Sequence, residues 1–388
     1  MTPQKLTGFH KFVSFVTVAV LLILVIGFAV NGWQANDNLP DSGDVGNKTD
    51  DTDENSDKNG TENETDTPPK ENDNNQNDTT PIEPPSKDEP EPIIYLSLIT
   101  GLEISEKRYT TVPVGTVLNP KAPLYGVSDS EIAIEFPIED GTSRLLVYTT
   151  DEDVLWKIGA LAPTRSYISE VASFFGGIEV SYGKDDSINP NSSKYNPKLL
   201  DLSLYSDCYY VENANYVYTS ENMIELAKGK KSEAQLDVFY KSAPFDFCES
   251  ASFRGTATAS TVIIPFSDKN ETELYYHEKS GKYLYYKSAN RKMDMLTGEN
   301  VSYKNVFVLF ADSTTYEKSE GSELVMDVAS GGKGYYASEG TYTEFLWSTD
   351  VSGALNFYTL SGEKLKVNPG NSYICYYKSS ALSKVTVI

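Results

Sequence analysis

The chain has 388 residues, 39% hydrophobic and 23% charged, with a formal net charge of -23, which is enough for one large domain or two ordinary ones. Its 56 acidic residues against 33 basic ones exclude the basic surface that a nucleic-acid partner requires. Only His10 and His277 are histidines and only three residues are cysteines, so any triad or Cys-His pair would have to use His277, and no disulfide scaffold can form.

In chain order, residues 1–11 carry Lys5, Lys11 and no acid, the composition of a cytoplasmic tail. Residues 12–30, FVSFVTVAVLLILVIGFAV, hold no charge. As a helix they would span roughly 28 Å, close to a bilayer's hydrocarbon thickness. The lysines before this segment and their absence until Lys48 after it put the N-terminus inside and the bulk of the chain outside the cell. A cleavable signal peptide shares these ingredients. The run is longer than the usual signal core and lacks a good A-x-A site, so the expectation is an uncleaved signal anchor in the cell membrane. The lipid bilayer is then the first partner.

Residues 31–92 read as a stalk. From 36 to 92 there are 18 acids and four lysines with almost no large apolar side chain, so burial cannot offset the entropy of ordering. The stretch PIEPPSKDEPEP closes it with stiffer, proline-rich chain. More than half of the net negative charge, -14 of -23, lies here, which leaves the rest of the chain moderately acidic.

From Ile93 the pattern is globular, and an α+β fold is expected: a mixed N-terminal domain, 93–249, and a mainly antiparallel β domain, 250–388. TVPVGTVLN, EIAIEFP and RLLVYTT read as strands. PTRSYISEVASFFGG reads as an amphipathic helix starting at Pro163, with Tyr167, Ile168, Val171 and Phe175 on one face and a stop at Gly176. TSENMIELAKG predicts a second helix, capped at Thr219 or Ser220 and ending at Gly229, and SEAQLDVFYKS a short third one. Beyond Cys248 short β-branched and aromatic runs alternate with turns, of which Lys279-Ser280-Gly281-Lys282 and Leu360-Ser361-Gly362-Glu363 suit hairpins.

The candidate chemistry is polar binding, with no catalytic residue, metal site or cofactor to assign. Arg165 near the helix start and Arg144 on a strand could grip a carboxylate or phosphate with bidentate geometry. Asn119, Glu135 and Tyr167 complete the candidate ligand-binding set. The competing reading is that each arginine ties a loop to a carboxylate such as Glu135 or Glu139. Asp185-Asp186 and Asp151-Glu152-Asp153 read as solvated loop charge, and GKDDSINPNSS lacks the glycine turn and the distal glutamate of a calcium loop. Gly331-Gly332-Lys333-Gly334 runs into a strand, not a helix, so a turn is expected instead of a phosphate loop. Cys208 and Cys248 could pair in an oxidising compartment, with three reduced thiols equally open.

Several segments, in order, resemble the YerB-like family of bacterial envelope proteins of unknown function. LITGLEISE is similar to the family's opening segment, VPVGTVLNPKAPLYGVSDSEIAIEF to its "RPVAVMINN...ARPQ.GL..ADIVYE" stretch, and EDGTSRLLVYTT to "EGGITRFMALF". IGALAPTRSYISEVA resembles "VGPVRSARDYFIELA"; SGGKGYY and LKVNPGNSYICYY resemble the closing strands. The resemblance covers roughly residues 98–377 and implies a mixed α/β region followed by a β-rich one. The chain departs from it at polar positions: Ala162 stands where the family has the first of two arginines, and Asn215 where it has a histidine. The lipid-modified cysteine is also missing, since Cys208 is the first cysteine, and the apolar helix would replace it as anchor. The expected function is a membrane-anchored extracellular binding module whose partner is a cell-wall polymer or another envelope protein. The alternatives are a carboxylate-based, glycan-directed envelope hydrolase and an inactive descendant of a family site.

Overall fold

In a computed structural model the described residues are 93–388, apart from 190, 197, 213–214, 232–244, 319–320 and 351–352. The expected anchor, the stalk and the third helix therefore lie outside the described residues. Among the described residues no helix is long and apolar enough to cross a membrane.

The longer elements, in chain order, are β1 (Val114–Leu118), β2 (Ile132–Pro137), β3 (Ser143–Thr149), α1 (Ser166–Phe175), β4 (Ile178–Ser181) and β5 (Leu199–Asp201). The hairpin β6 (Tyr209–Glu212) and β7 (Tyr216–Thr219) then leads into α2 (Asn222–Lys231). There follow β8 (Thr261–Ser267), β9 (Asn270–His277), β10 (Lys282–Lys287), β11 (Asn305–Ala311), β12 (Ser313–Lys318) and β13 (Gly321–Met326). The last are β14 (Gly332–Ser338), β15 (Thr341–Thr349), β16 (Leu355–Tyr358) and β17 (Ser372–Lys378).

An eleven-stranded mixed sheet forms the middle layer, in the order Ala257–Thr258, β15, β14, β11, β17, β2, β3, β1, β4, β5, with β16 on β15. The expected division at residue 250 does not part this sheet, because the described residues from 93 to 388 belong to one compact unit. The reason is β17, which pairs in parallel with β11 on one side and with β2 on the other, Cys375 opposite both Val308 and Glu135. The β-rich character of the second half is as expected, but this strand makes its sheet mixed where antiparallel pairing was predicted.

Period-two alternation sends alternate residues to two cores. On one face Ala133, Leu145, Val147, Val308 and Tyr373 pack against a second sheet, built on β8, β9 and β10, and against Met223 and Ala227 of α2. On the other, Ile134, Phe136, Leu146, Phe307 and Ile374 pack beneath α1, which buries the expected Tyr167, Ile168, Val171 and Phe175.

The helix boundaries shift for identifiable reasons. Thr164 donates its N–H to Gly183 and accepts from that of Asp185, so 163–165 stay extended and α1 begins at Ser166 with Arg165 as its N-cap. It ends as predicted at Gly176, φ 69°. Thr219 cannot cap α2, because its hydroxyl donates to Leu155 O and accepts the Ile158 N–H inside the core. Gly229 lies within α2 and does not end it.

The disulfide is not formed: Cys208 and Cys248 are free thiols. Cys208 packs in the core under the second sheet, whereas Phe247, next to Cys248, packs on the α1 face. The eleven-stranded sheet separates them.

Candidate functional site

The strand β3 places two adjacent residues on opposite faces of the sheet. Ser143 points toward the second sheet and Arg144 toward α1, and each enters a cluster of charge.

On the Ser143 side, Glu135 is fully buried and ion-paired with Lys287, Oε1 to Nζ 2.6 Å. Ser143 donates to the same oxygen at 2.5 Å. Thr272, Tyr285 and Tyr373 donate to the other oxygen at 2.8, 3.2 and 2.6 Å. Lys287 Nζ also donates to Thr272 and lies 4.1 Å from the Phe266 ring centroid. Burial alone would push the Glu135 carboxyl up, but the Lys287 ammonium and the hydroxyl donors outweigh it and hold it below its usual value. With every oxygen lone pair engaged and no path to solvent, this site is structural. It rivets the second sheet to β2, and losing one partner of such a pair costs about 3–5 kcal/mol.

On the Arg144 side a shallow cavity of about 360 Å³ opens between the β2–β3 turn, the start of α1 and the end of the β12–β13 hairpin. It is lined by Ile138, Glu139, Asp140, Arg144, Arg165 and Ser322, among others. Arg165 Nε donates to Glu139 at 2.7 Å. For Arg165 burial works against the charge, and Glu139 more than compensates, raising its proton affinity. Asp140 is spent on its own turn, accepting from the N–H and hydroxyl of Thr142 at 2.8 and 2.5 Å. Arg144 forms no ion pair with a described residue: it donates to the Ser143 carbonyl at 3.0 Å, and its Nε is buried without an acceptor. Burial, then the neighbouring Arg165 charge, lower its affinity for the proton. Two guanidiniums thus meet at the N-terminus of a ten-residue helix, with one carboxylate committed between them. What this arrangement can accept is an anion with hydrogen-bond acceptors for the spare N–H groups of Arg144.

Of the sequence candidates, Arg144 and Arg165 come together. Tyr167 stands behind them, buried, its hydroxyl donating to Pro137 O at 2.7 Å. Glu135 does not join them; it belongs to Lys287. Asn119 is also elsewhere, its side chain accepting from the Lys121 N–H. Asn215, at the position where the resemblance places a histidine, has φ 68° in the turn before β7, a conformation asparagine tolerates.

Among the described residues five buried charged side chains, Glu131, Glu179, Glu273, Lys287 and Asp294, are not among the sequence candidates, and three of them show why. Lys287 shares the inward face of β10 with Tyr283 and Tyr285, so the alternation KYLYYK carried its signal. Asp294 accepts the N–H groups of Gly126, Val127, Ser128 and Leu296 and the Ser128 hydroxyl at 2.7–3.0 Å, and all of these but the Leu296 contact cross more than 160 positions, which no local pattern announces. Glu179, beneath α1, accepts from the hydroxyls of Thr164 and Ser169, both at 2.7 Å. Burial outweighs these donors and pushes its carboxyl up to about 7.

Residues 262–374 match the family described as a protein of unknown function (DUF3048), C-terminal domain. The crystal structure of the YerB protein from Bacillus subtilis is similar to this chain with a TM-score of 0.63 and 21% identity, covering 76% of this chain and 99% of that one. No curated protein matches the chain in sequence. The resemblance to the YerB-like family is borne out, and that family's function is unknown.

Proposed function

Starting from a YerB-like fold without an assigned activity, we propose that this chain is a membrane-anchored module on the outer side of the cell membrane that binds a carboxylate or phosphate group of an envelope polymer or protein in the Arg144–Arg165 cavity. The observation that carries this reading is the unpaired Arg144, with a buried Nε lacking an acceptor beside a second guanidinium. A buried donor left without a partner costs about 1–3 kcal/mol, and a bound anion would recover that. The lone apolar run at 12–30, the preceding lysines and the acidic stalk support the anchored topology. The engagement of Glu139 by Arg165 and of Asp140 by Thr142 counts against a carboxylate-based hydrolase at this cavity, since neither acid is free to act as base or nucleophile.

Calorimetric titration with acetate and with inorganic phosphate tests the site. Binding to the wild-type chain, abolished in an Arg144→Ala, Arg165→Ala double variant that still unfolds cooperatively and melts no more than a few degrees lower, is the expected result. Equal binding by the folded double variant would overturn it. For the topology, N-terminal sequencing of the membrane-extracted protein should find residues 12–30 retained; a mature start near Asn36 would contradict the anchor.

A further inference from the structure

A second cleft, of about 380 Å³, lies where the short hairpin Tyr95–Ile104, the loop 128–131, the turn into β10 and the turn before β17 meet. That volume falls within the range of small-molecule sites, about 300–1,000 Å³. Its lining carries both signs of charge: Lys282, Lys304 and Arg108 against Glu103, Asp129 and Glu131. On one side stand Lys282 and Lys304. Lys304 is paired with Glu339, and after burial the charges that act on it are those of Arg254 and Lys282, which lower its proton affinity. Lys282 has no ion-pair or side-chain hydrogen-bond partner among the described residues.

On the other side Asp129 makes no hydrogen bond or ion pair with a described residue. Burial pushes its carboxyl up, and so do Asp151, Glu299 and Asp294. The one cation acting against them is Arg108, which is committed to Glu131 at 3.1 Å and to Thr150 at 3.1 Å. The lining also includes Leu102, Ile104 and Pro369. Asn305, Ser372 and Ile132 lie side by side on β11, β17 and β2, so Lys304, next to Lys282, and Asp129 reach the cleft from strands two apart. The cleft therefore offers the free ammonium of Lys282 toward β11 and the free carboxylate of Asp129 toward β2, with apolar side chains and the exposed Glu103 also in its lining.

We propose that this cleft binds a zwitterion of about dipeptide size, a short peptide with free termini, its carboxylate on Lys282 and its ammonium on Asp129. Neither partly solvated ion pair is worth much alone. One ligand that bridges both makes the second contact without a second loss of translational freedom. The site is independent of the Arg144–Arg165 cavity, with which it shares no lining residue.

The test is calorimetric titration of the full chain with glycylglycine, N-acetylglycylglycine and glycylglycine amide. Glycylglycine is expected to bind, and each capped form to bind about tenfold more weakly or worse. Lys282→Met should weaken binding of glycylglycine and of the N-acetyl form, which keeps the carboxylate, and leave the amide unaffected; Asp129→Asn should do the reverse. Both side chains lack partners to lose, so both variants should melt with the wild type. Absence of glycylglycine binding, capped forms that bind as well as the free dipeptide, or a substitution that weakens both capped forms equally would overturn the proposal. Retention of glycylglycine binding by Arg144→Ala is expected, and its loss would show that the two sites are not separate.

Discussion

Ser143 and Arg144 are neighbours on one strand, yet the clusters they enter handle buried charge in opposite ways. Around Ser143, Glu135 and Lys287 neutralise each other, four hydroxyls close the remaining valences, and water is excluded. Around Arg144 a guanidinium is held half-buried beside another one, its nearest carboxylates already taken. A completed network adds cohesion and has nothing left to offer a ligand; an incomplete one costs stability and keeps donors in reserve. That contrast separates a structural charge cluster from a candidate binding site more reliably than the presence of charge.

The largest expected effect breaks the closed side. Lys287→Met strands the Glu135 carboxylate in the core and should cost about 3–5 kcal/mol in denaturant unfolding. Adding Glu135→Gln should recover part of that loss, because the uncompensated charge then disappears. A double variant as unstable as the single one would mean that packing, not charge, dominates.

Glu179 sharpens the comparison as a buried carboxyl with hydroxyl partners and no cation. Its ordinary value is 4.5 and its folded value about 7, so the folded state holds the proton more tightly than the unfolded chain does. The stabilisation is complete below about pH 4.5 and is lost as pH rises toward 7, a decline of about 3 kcal/mol at 1.36 kcal/mol per unit. Stability measured across this range should fall in the wild type and stay nearly flat in Glu179→Gln; a wild-type curve with the same slope as the variant would refute the assignment.

Smaller effects belong to the open side. Arg165→Ala removes the partly exposed pair with Glu139 and should cost about 1 kcal/mol. Arg144→Ala relieves a buried donor without an acceptor and loses the packing of a half-buried side chain; the two oppose each other, and the variant should lie within about 1 kcal/mol of the wild type in thermal melts. A cost of several kcal/mol there would identify Arg144 as structural.

How far these features could be read from sequence depended on their range. The strands from Val114, Ile132 and Ser143 and the helix that buries Tyr167, Ile168, Val171 and Phe175 followed from local periodicity. The meeting of Arg144 and Arg165 was also foreseen, with Glu139 as a competing partner. Glu135 was placed with the wrong cation, because Lys287 comes 152 positions later and reaches it only through the second sheet. The same limit hid the path of β17, since nothing in NSYICYY says that it will lie between β11 and β2. Cys208 and Cys248 seemed free to meet until the sheet between them was known. Pro163 looked like a helix start until Gly183 and Asp185 claimed the backbone of Thr164.

The most direct measurement is a paired titration and melt of the wild-type chain, Arg144→Ala and Lys287→Met, with acetate and inorganic phosphate as the ligands. The account predicts that Arg144→Ala loses anion binding at least tenfold while melting within a degree or two of the wild type, and that Lys287→Met melts far lower while its folded fraction still binds. Undiminished anion binding by Arg144→Ala would contradict the division between an open and a closed cluster on which the functional reading rests.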